Sequence, residues 1–397
     1  MTQPDPSKDE TSKEGQSEVL DLTAALLRYA STTPDCKEVL DFVQTWLEGL
    51  GFVCTRIPAQ SHSYAVDNLY ARYGNQEPLF GFCGHVDVVP IGQEQDWTYP
   101  PFSAQHEQGK LFARGAVDMK SGLACFMIAV KRFLAKNKGF QGSLAFLITG
   151  DEESEAVAGT VAILRWMQDN QQIMQHCLVG EPSSREVLGD TIKIGRRGSF
   201  NATLTVTGQQ GHVAYPEQFV NPNHQLIKLL YALQDMPLDQ GSDHFDASSL
   251  QVTSIDVGNG ATNVIPRTAS ARFNIRYNDH WTAQSLADYL HETISAFGFD
   301  YSLEWRSSGS SFVYPPEDFA ALIAQSVEHI TQQSPAFLTN GGTSDARFIA
   351  AHCPVAEFGL VGSSMHQVDE HVEIAQLEPL TACYQDIIER YFSLKAS

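Results

Sequence analysis

Gly81-Phe-Cys-Gly-His-Val-Asp-Val-Val-Pro90 continues an apolar run that begins at Pro78. The run is short enough for a buried strand, and it places His85 and Asp87 where that strand gives way to a loop. Two residues apart on an extended segment, both side chains point to the same side. An imidazole beside a carboxylate that can hold its other ring nitrogen suits a metal-binding histidine, because the carboxylate fixes the tautomer and raises ligand basicity. Read alone, such a pair is more often an inert hydrogen-bonded couple at a strand end. The rest of the chain shifts the reading.

Polar clusters of the same kind recur at strand ends and loop junctions along the chain. Residues 143–148 predict an apolar strand that ends in Thr149-Gly-Asp-Glu-Glu-Ser154, with a helix behind it at 161–167. Residues 176–180 predict a short strand ending in Glu181-Pro182. Gly115-Ala-Val-Asp-Met-Lys-Ser-Gly122 leads into a helical run at 123–134, so Asp118 lies at a loop-to-helix junction. Most of these clusters sit at the carboxyl end of a strand, where open α/β sheets gather their ligands. Upstream, helical spacing marks 19–29 and 39–50, with Gly51 closing the second helix, and strands are expected at 52–57, 68–73 and 79–83.

The pattern changes near residue 198. Alternating strands at 200–206, 250–255, 269–277 and 300–305, with helices at 222–233 and 282–297, describe an α+β unit with one helical layer. After a Ser/Gly-rich link at 307–311, helical and apolar runs resume at 319–330, 346–351, 355–360 and 377–392. The expected organisation is a tail at 1–18, a discontinuous α/β catalytic domain at 19–197 and 310–397, and an inserted domain at 198–309.

Composition narrows the function. A formal charge of -21 argues against nucleic acid and anionic membrane surfaces, both of which need basic patches. The polar start is neither a signal peptide nor a membrane anchor, so a disordered tail and a cytoplasmic protein are expected. Seven cysteines are scattered without a C-x-x-C pair, so any metal must be held by histidine and carboxylates. His85, Asp118, Glu152, Glu153, Glu181 and His366 form such a set, which suits zinc or a related borderline metal and, with several carboxylates, two ions bridged by one of them. Of the adjacent Glu152 and Glu153, one can be a ligand while the other works on a water proton. A nucleophilic hydrolase using Ser199 or Ser344 is disfavoured, since neither lies in a G-x-S-x-G elbow. A non-catalytic binding module would lack ligands or base, and none is missing.

Together these residues resemble the dinuclear zinc amidohydrolases, the family of aminoacylases, deacylases and carboxypeptidases, over about 20–391. The resemblance is carried by Gly84-His-Val-Asp-Val-Val-Pro90, Arg114-Gly-Ala-Val-Asp-Met-Lys120, Thr149-Gly-Asp-Glu-Glu153, Gly180-Glu-Pro182 and Met365-His366. It implies a mixed-sheet zinc-peptidase-like domain carrying an inserted dimerisation, or lid, domain. It also implies two zinc ions, with cobalt as a substitute: His85 and Glu181 on one, Glu153 and His366 on the other, Asp118 bridging. Asp87 would orient His85, and Glu152 would be the general acid/base. The peptide bond after Asp118 would be cis.

Gly195-Arg-Arg-Gly-Ser199, Gly211-His-Val-Ala-Tyr-Pro216, Asn263-Val-Ile-Pro266, Phe273-Asn-Ile-Arg276 and Gly341-Gly-Thr-Ser-Asp-Ala-Arg-Phe348 are most similar to the branch that hydrolyses N-succinyl-LL-2,6-diaminopimelate. The alternatives are acetylornithine or succinylornithine deacylation, or a carboxypeptidase. For that branch the resemblance implies a small N-acyl diamino acid substrate held by Arg196, Tyr215, Asn263, Arg276 and Arg347. It further implies a homodimer in which His212 serves the partner's site as an oxyanion donor.

Overall fold

In the computed structural model, residues 17–395 apart from Met236 are described. They divide into two compact units, one made of the described residues up to 194 with 314–337 and those from 348 onward, and the other of 195–313 and 338–347. Of the tail expected at 1–18, residues 1–16 lie outside the described residues, while Ser17 and Glu18 instead open the first helix, Glu18–Leu27. Ser17 donates its hydroxyl hydrogen bond to Glu378, so these two residues belong to the packed chain.

The first unit is built on an eight-stranded mixed sheet in the order Val53–Arg56, Leu69–Tyr73, Ser143–Thr149, Leu79–His85, His176–Val179, Val355–Glu357, Thr191–Lys193, Ala336–Leu338. Leu79–His85 and Ser143–Thr149 are buried at every position. Such unbroken apolar runs belong to the interior of a sheet covered on both faces. Leu79–His85 runs parallel to its neighbours Ser143–Thr149 and His176–Val179, and Val355–Glu357 runs parallel to His176–Val179. The carboxyl ends of these four strands therefore emerge along one edge.

Helices Ser121–Lys136 and Leu377–Lys395 pack against each other, and Phe126 stacks on Phe82 of the sheet with ring centroids 4.0 Å apart. Gly122 is required by close approach: a Cβ there would lie 2.8 Å from the Gly180 carbonyl oxygen. Gly51 has φ +91°, the left-handed conformation expected of a glycine that closes a helix. Three short strands, Gln105–Glu107, Lys110–Phe112 and His371–Glu373, form a small sheet with no expectation in the sequence.

The second unit is a four-stranded antiparallel sheet in the order Ser249–Asp256, Thr268–Tyr277, Gly198–Thr207, Tyr301–Gly309, with helices Pro222–Asp235 and Ala283–Ser295. Phe200, Ala202, Leu204 and Val206 are buried while Asn201, Thr203 and Thr205 are not, the period of two expected of a sheet with one covered face. Their partners in the core include Leu226, Leu229, Leu286, Leu290 and Ile294 of the two helices.

Two sequence expectations need correction here. The Ser/Gly-rich link at 307–311 is largely strand, since Ser307 pairs with Phe200 and Gly309 with Ser199 across a bulge. Composition hides this because the pairing is between segments a hundred residues apart. Residues 338–347 also fall with the second unit instead of the first. Arg196 donates to the carbonyls of Asn340 and Gly342, and the Thr339 hydroxyl donates to the carbonyl of His244.

Asp239 fastens the second unit internally. It accepts from the backbone N–H groups of Gly241 and Ser248 and from the side chains of Asn278 and Trp281. Burial works to raise its pKa, but the donors win and hold it down at about 2. A carboxylate depressed below its unfolded value of 3.8 contributes stability that is complete above that value and is lost as pH falls towards about 2. Asp239→Asn is therefore expected to lower stability by ~1–3 kcal/mol near neutral pH. In urea denaturation at a series of pH values, the gap between parent and variant should narrow below about pH 4; a gap independent of pH would show that charge is not involved.

Candidate metal centre

Five of the six expected metal-site residues meet at the carboxyl edge of the parallel strands, and the sixth, Glu152, stands beside them. His85 ends its strand, Glu153 lies three residues past Gly150 in the turn after Ser143–Thr149, and Glu181 follows His176–Val179. Asp118 comes from the Gly115–Lys120 turn, where it leaves helical dihedrals (φ -117°, ψ 98°) before the helix at Ser121 begins. The Asp118–Met119 peptide bond is cis, the isomer the resemblance implies.

Asp118 faces both histidines. Its Oδ1 is 3.0 Å from His85 Nε2 and its Oδ2 is 3.3 Å from His366 Nε2. Each imidazole has a second carboxylate: Glu181 Oε1 at 3.8 Å from His85 Nε2, and Glu153 Oε1 at 3.0 Å from His366 Nε2. In a tetrahedral zinc site with bonds of ~2.0–2.1 Å, neighbouring ligand atoms lie roughly 3.3 Å apart, so this donor spacing fits metal coordination. The ligand atoms of His85, Asp118 and Glu153 lie within 4.8 Å of one another, and so do those of His85, Glu152 and Glu181. These donors fit metal ions.

The electrostatics agree. Burial, reinforced by the neighbouring charges of Asp118 and Glu152, drives the Glu181 carboxyl well above its ordinary range, and burial also raises Glu153. Burial opposes charge on His85 too, but its contacts with Asp118 and Glu181 overcome this and raise it. Hydrogen bonds that the ring donates to the Asp118 and Glu153 carboxylates push His366 up to about 10. Carboxylates crowded this closely call for positive charge, which divalent ions would supply.

Asp87 acts differently from the sequence reading. Its backbone carbonyl, not its carboxylate, holds His85 Nδ1 at 2.9 Å, while the carboxylate stands 3.6 Å from that nitrogen. A carbonyl only accepts, so Nδ1 donates its proton to it and Nε2 is the ring atom left to face a ligand. The fully buried Asp87 carboxylate instead accepts from the Thr33 hydroxyl and from the N–H groups of Glu152 and Glu153. It anchors the acidic turn. Asp151, in the same turn, accepts from Tyr64 and from the N–H groups of Val157 and Ala158.

The remaining expected residues lie in the second unit. His212 is exposed on a two-residue strand paired with Val264–Ile265. Its Nδ1 accepts from the Ala214 N–H, which places the proton of the neutral ring on Nε2 and makes that atom a donor. Tyr215 lies beside it, with ring centroids 5.7 Å apart, and the Asn263 carbonyl accepts from Val213 N–H. Arg196 is buried, with Nη1 on the carbonyls of Asn340 and Gly342. Arg276 and Arg347 belong to a basic cluster that also contains Arg197, and burial plus the charges of Arg197 and Arg347 lower the Arg276 pKa. Ser199 and Ser344 are both buried; Ser199 accepts from Asn274, and Ser344 accepts from the Ala346 N–H.

Sequence reasoning missed Arg197, and it missed Glu370, a fully buried carboxylate bonded to the Asp118 turn. The available signals were the second arginine of Gly195-Arg-Arg-Gly198 and an acid four residues after His366.

Among the described residues no helix is long and apolar enough to cross a membrane. The chain is 50% identical over 373 residues to a succinyl-diaminopimelate desuccinylase of Rhodospirillum centenum, covering 94% of this chain and 97% of that one. It is 49% identical over 377 residues to a succinyl-diaminopimelate desuccinylase of Maricaulis maris, covering 94% and 95%. An M20 family metallo-carboxypeptidase from Sulfolobus solfataricus has a similar structure, with a TM-score of 0.78 at 17% identity over 95% of this chain and 100% of that one. At that identity the likeness speaks to the fold alone. The resemblance read from the motifs is borne out, and the family model matches residues 81–390, which hold every cluster described above. The chain belongs to peptidase family M20/M25/M40.

Proposed function

We propose that this protein hydrolyses N-succinyl-LL-2,6-diaminopimelate to succinate and LL-2,6-diaminopimelate, a step of lysine and cell-wall precursor synthesis in the cytoplasm. The observation that carries a hydrolytic reading is Asp118, whose two oxygens face two imidazoles, each with its own second carboxylate. The choice of acyl substrate is supported by relatives at 47–50% identity that bear the desuccinylase name.

In this reading His85 and Glu181 would hold one zinc ion and Glu153 and His366 the other, with Asp118 serving both; cobalt would substitute. Bound there, the ions would polarise the scissile carbonyl and acidify water. Glu152 accepts the proton of the attacking water and returns it to the leaving amine. Its turn is held by the backbone N–H groups of Glu152 and Glu153 on the Asp87 carboxylate. Arg276 and Arg347, with Arg196, Tyr215 and Asn263, supply cations and polar groups for the substrate's carboxylates, a task that suits the guanidinium fork.

The same reading makes the protein a homodimer in which His212 donates from Nε2 to the oxyanion in the partner's site. Self-association through the second unit is supported by exposed apolar groups: Ile227 and Tyr231 on its helix Pro222–Asp235, and Val252 and Ile255 on the edge strand Ser249–Asp256. An edge strand with apolar side chains is a natural site for pairing with another chain.

The substrate is tested by kcat/KM on succinyl-diaminopimelate, acetylornithine and a dipeptide. The first is expected to exceed the others by at least ~10²-fold, since a site built for particular polar groups leaves them unpaired with the wrong substrate. Comparable values, or a preference for the dipeptide, would replace this reading with one of the alternatives.

A further inference from the structure

Arg114 and Glu370 are both buried, at 3% and 0% exposure, and form an ion pair at 2.6 Å between Nη1 and Oε2. The pair touches two loops that lie some 250 residues apart in sequence. On one side, Glu370 Oε1 accepts from the backbone N–H of Val117 at 2.9 Å and of Asp118 at 3.3 Å. On the other, Arg114 donates to the backbone carbonyls of Gln367 at 3.1 Å and His366 at 3.5 Å. The guanidinium also lies over the Trp97 ring, 5.1 Å from its centroid, which fixes its plane. Backbone pairing continues the join, with Ala113 N–H donating to the Glu370 carbonyl.

We infer that Arg114 and Glu370 are a positioning pair that sets the Asp118 turn against the His366 loop, so that one carboxylate and one imidazole from distant parts of the chain arrive already placed for metal. This rests on the dinuclear reading above. Asp118 lies outside helical dihedrals and His366 has φ +62°, so neither ligand residue sits in a regular helix or strand, and the pairing of Lys110–Phe112 with His371–Glu373 stops short of both. The pair supplies what a helix or strand supplies elsewhere. Four of its hydrogen bonds go to backbone atoms of the two loops, and two of these go to the ligand residues themselves. Removing either member leaves a buried charge without its partner, which frees one loop relative to the other. Groups that orient metal ligands in this way are commonly worth 10–100-fold in metal affinity.

The test uses the full-length protein, stripped of metal and titrated with Co²⁺ against a chromophoric chelator, alongside its metal-free melting temperature and the visible absorption of bound Co²⁺. The variants are Arg114→Met, Glu370→Gln, and the two combined, which removes the buried charges while keeping an acceptor for the Val117 and Asp118 N–H groups. Each single variant is expected to bind Co²⁺ roughly 10–100-fold more weakly, with the larger loss at the ion shared by Glu153 and His366. The double variant is expected to melt closer to the parent yet remain at least ~10-fold weaker, with an altered Co²⁺ spectrum. A merely structural pair would give affinity that recovers along with the melting temperature, or folded variants that bind Co²⁺ as the parent does; either result overturns the inference. A parent that takes up no Co²⁺ overturns the dinuclear reading as well, whereas a parent that takes up two equivalents, matched by its variants, overturns the positioning role alone.

Discussion

Glu152→Ala is expected to keep two bound metal ions and to lose kcat by roughly 10²–10⁴-fold, the range typical of a positioned acid/base. The argument rests on how the acidic turn is held. Glu152 and Glu153 both donate their backbone N–H groups to the Asp87 carboxylate, and Asp151 fastens the far side of the turn through Tyr64, Val157 and Ala158. None of these bonds uses the Glu152 side chain, so all of them remain available to the turn when that side chain is removed. Glu153 differs, because its Oε1 meets His366 Nε2 at 3.0 Å. Glu153→Ala should therefore lose metal, where Glu152→Ala loses only turnover. Elemental analysis of the two purified variants separates the roles. Because the Glu152 ligand atom also lies within 4.8 Å of those of His85 and Glu181, a Glu152→Ala protein lacking one metal ion would make Glu152 a ligand and reverse the division of labour.

His212→Ala is expected to be nearly as inactive, and mixing it with Glu152→Ala should restore activity. A donor aimed at developing negative charge is commonly worth about 10²–10³ in rate. His212 is suited to the task by its Nδ1, which accepts from the Ala214 N–H and so leaves Nε2 to donate. If His212 acts in the partner's site, a heterodimer of the two variants contains one site with Glu152 from one chain and His212 from the other. Random reassortment would make about half of the dimers mixed, and each would carry one intact site of two, so activity should return to roughly a quarter of the parent's. Subunit exchange confirmed by mass, with no return of activity, would show that His212 does not act across a dimer.

The order of the strands and helices was legible in the sequence wherever one local pattern decided an element. The runs at 79–83 and 143–148 read as strands because they are unbroken apolar stretches, and both are buried on each face, while 200–206 read as a strand because every second residue is apolar. His85, Asp118, Glu152, Glu153, Glu181 and His366 could be singled out because polar residues at the ends of apolar runs stand out against their surroundings. Other features depended on contacts between distant segments, which no local pattern records. The strand character of 307–309 comes from pairing with Ser199 and Phe200, and the place of 338–347 in the second unit comes from Arg196. Asp87 looked like a partner for the His85 ring, yet its carboxylate is turned to Thr33 and to the N–H groups of Glu152 and Glu153, while its backbone carbonyl takes the ring. Glu370 carried no expectation, because its partners Arg114, Val117 and Asp118 lie some 250 residues away in sequence. The amino-acid types and their local spacing thus determined which groups could do chemistry. Which of them are ligands and which are supports was decided only by tertiary structure, because a buried carboxylate is defined by the donors that fold around it.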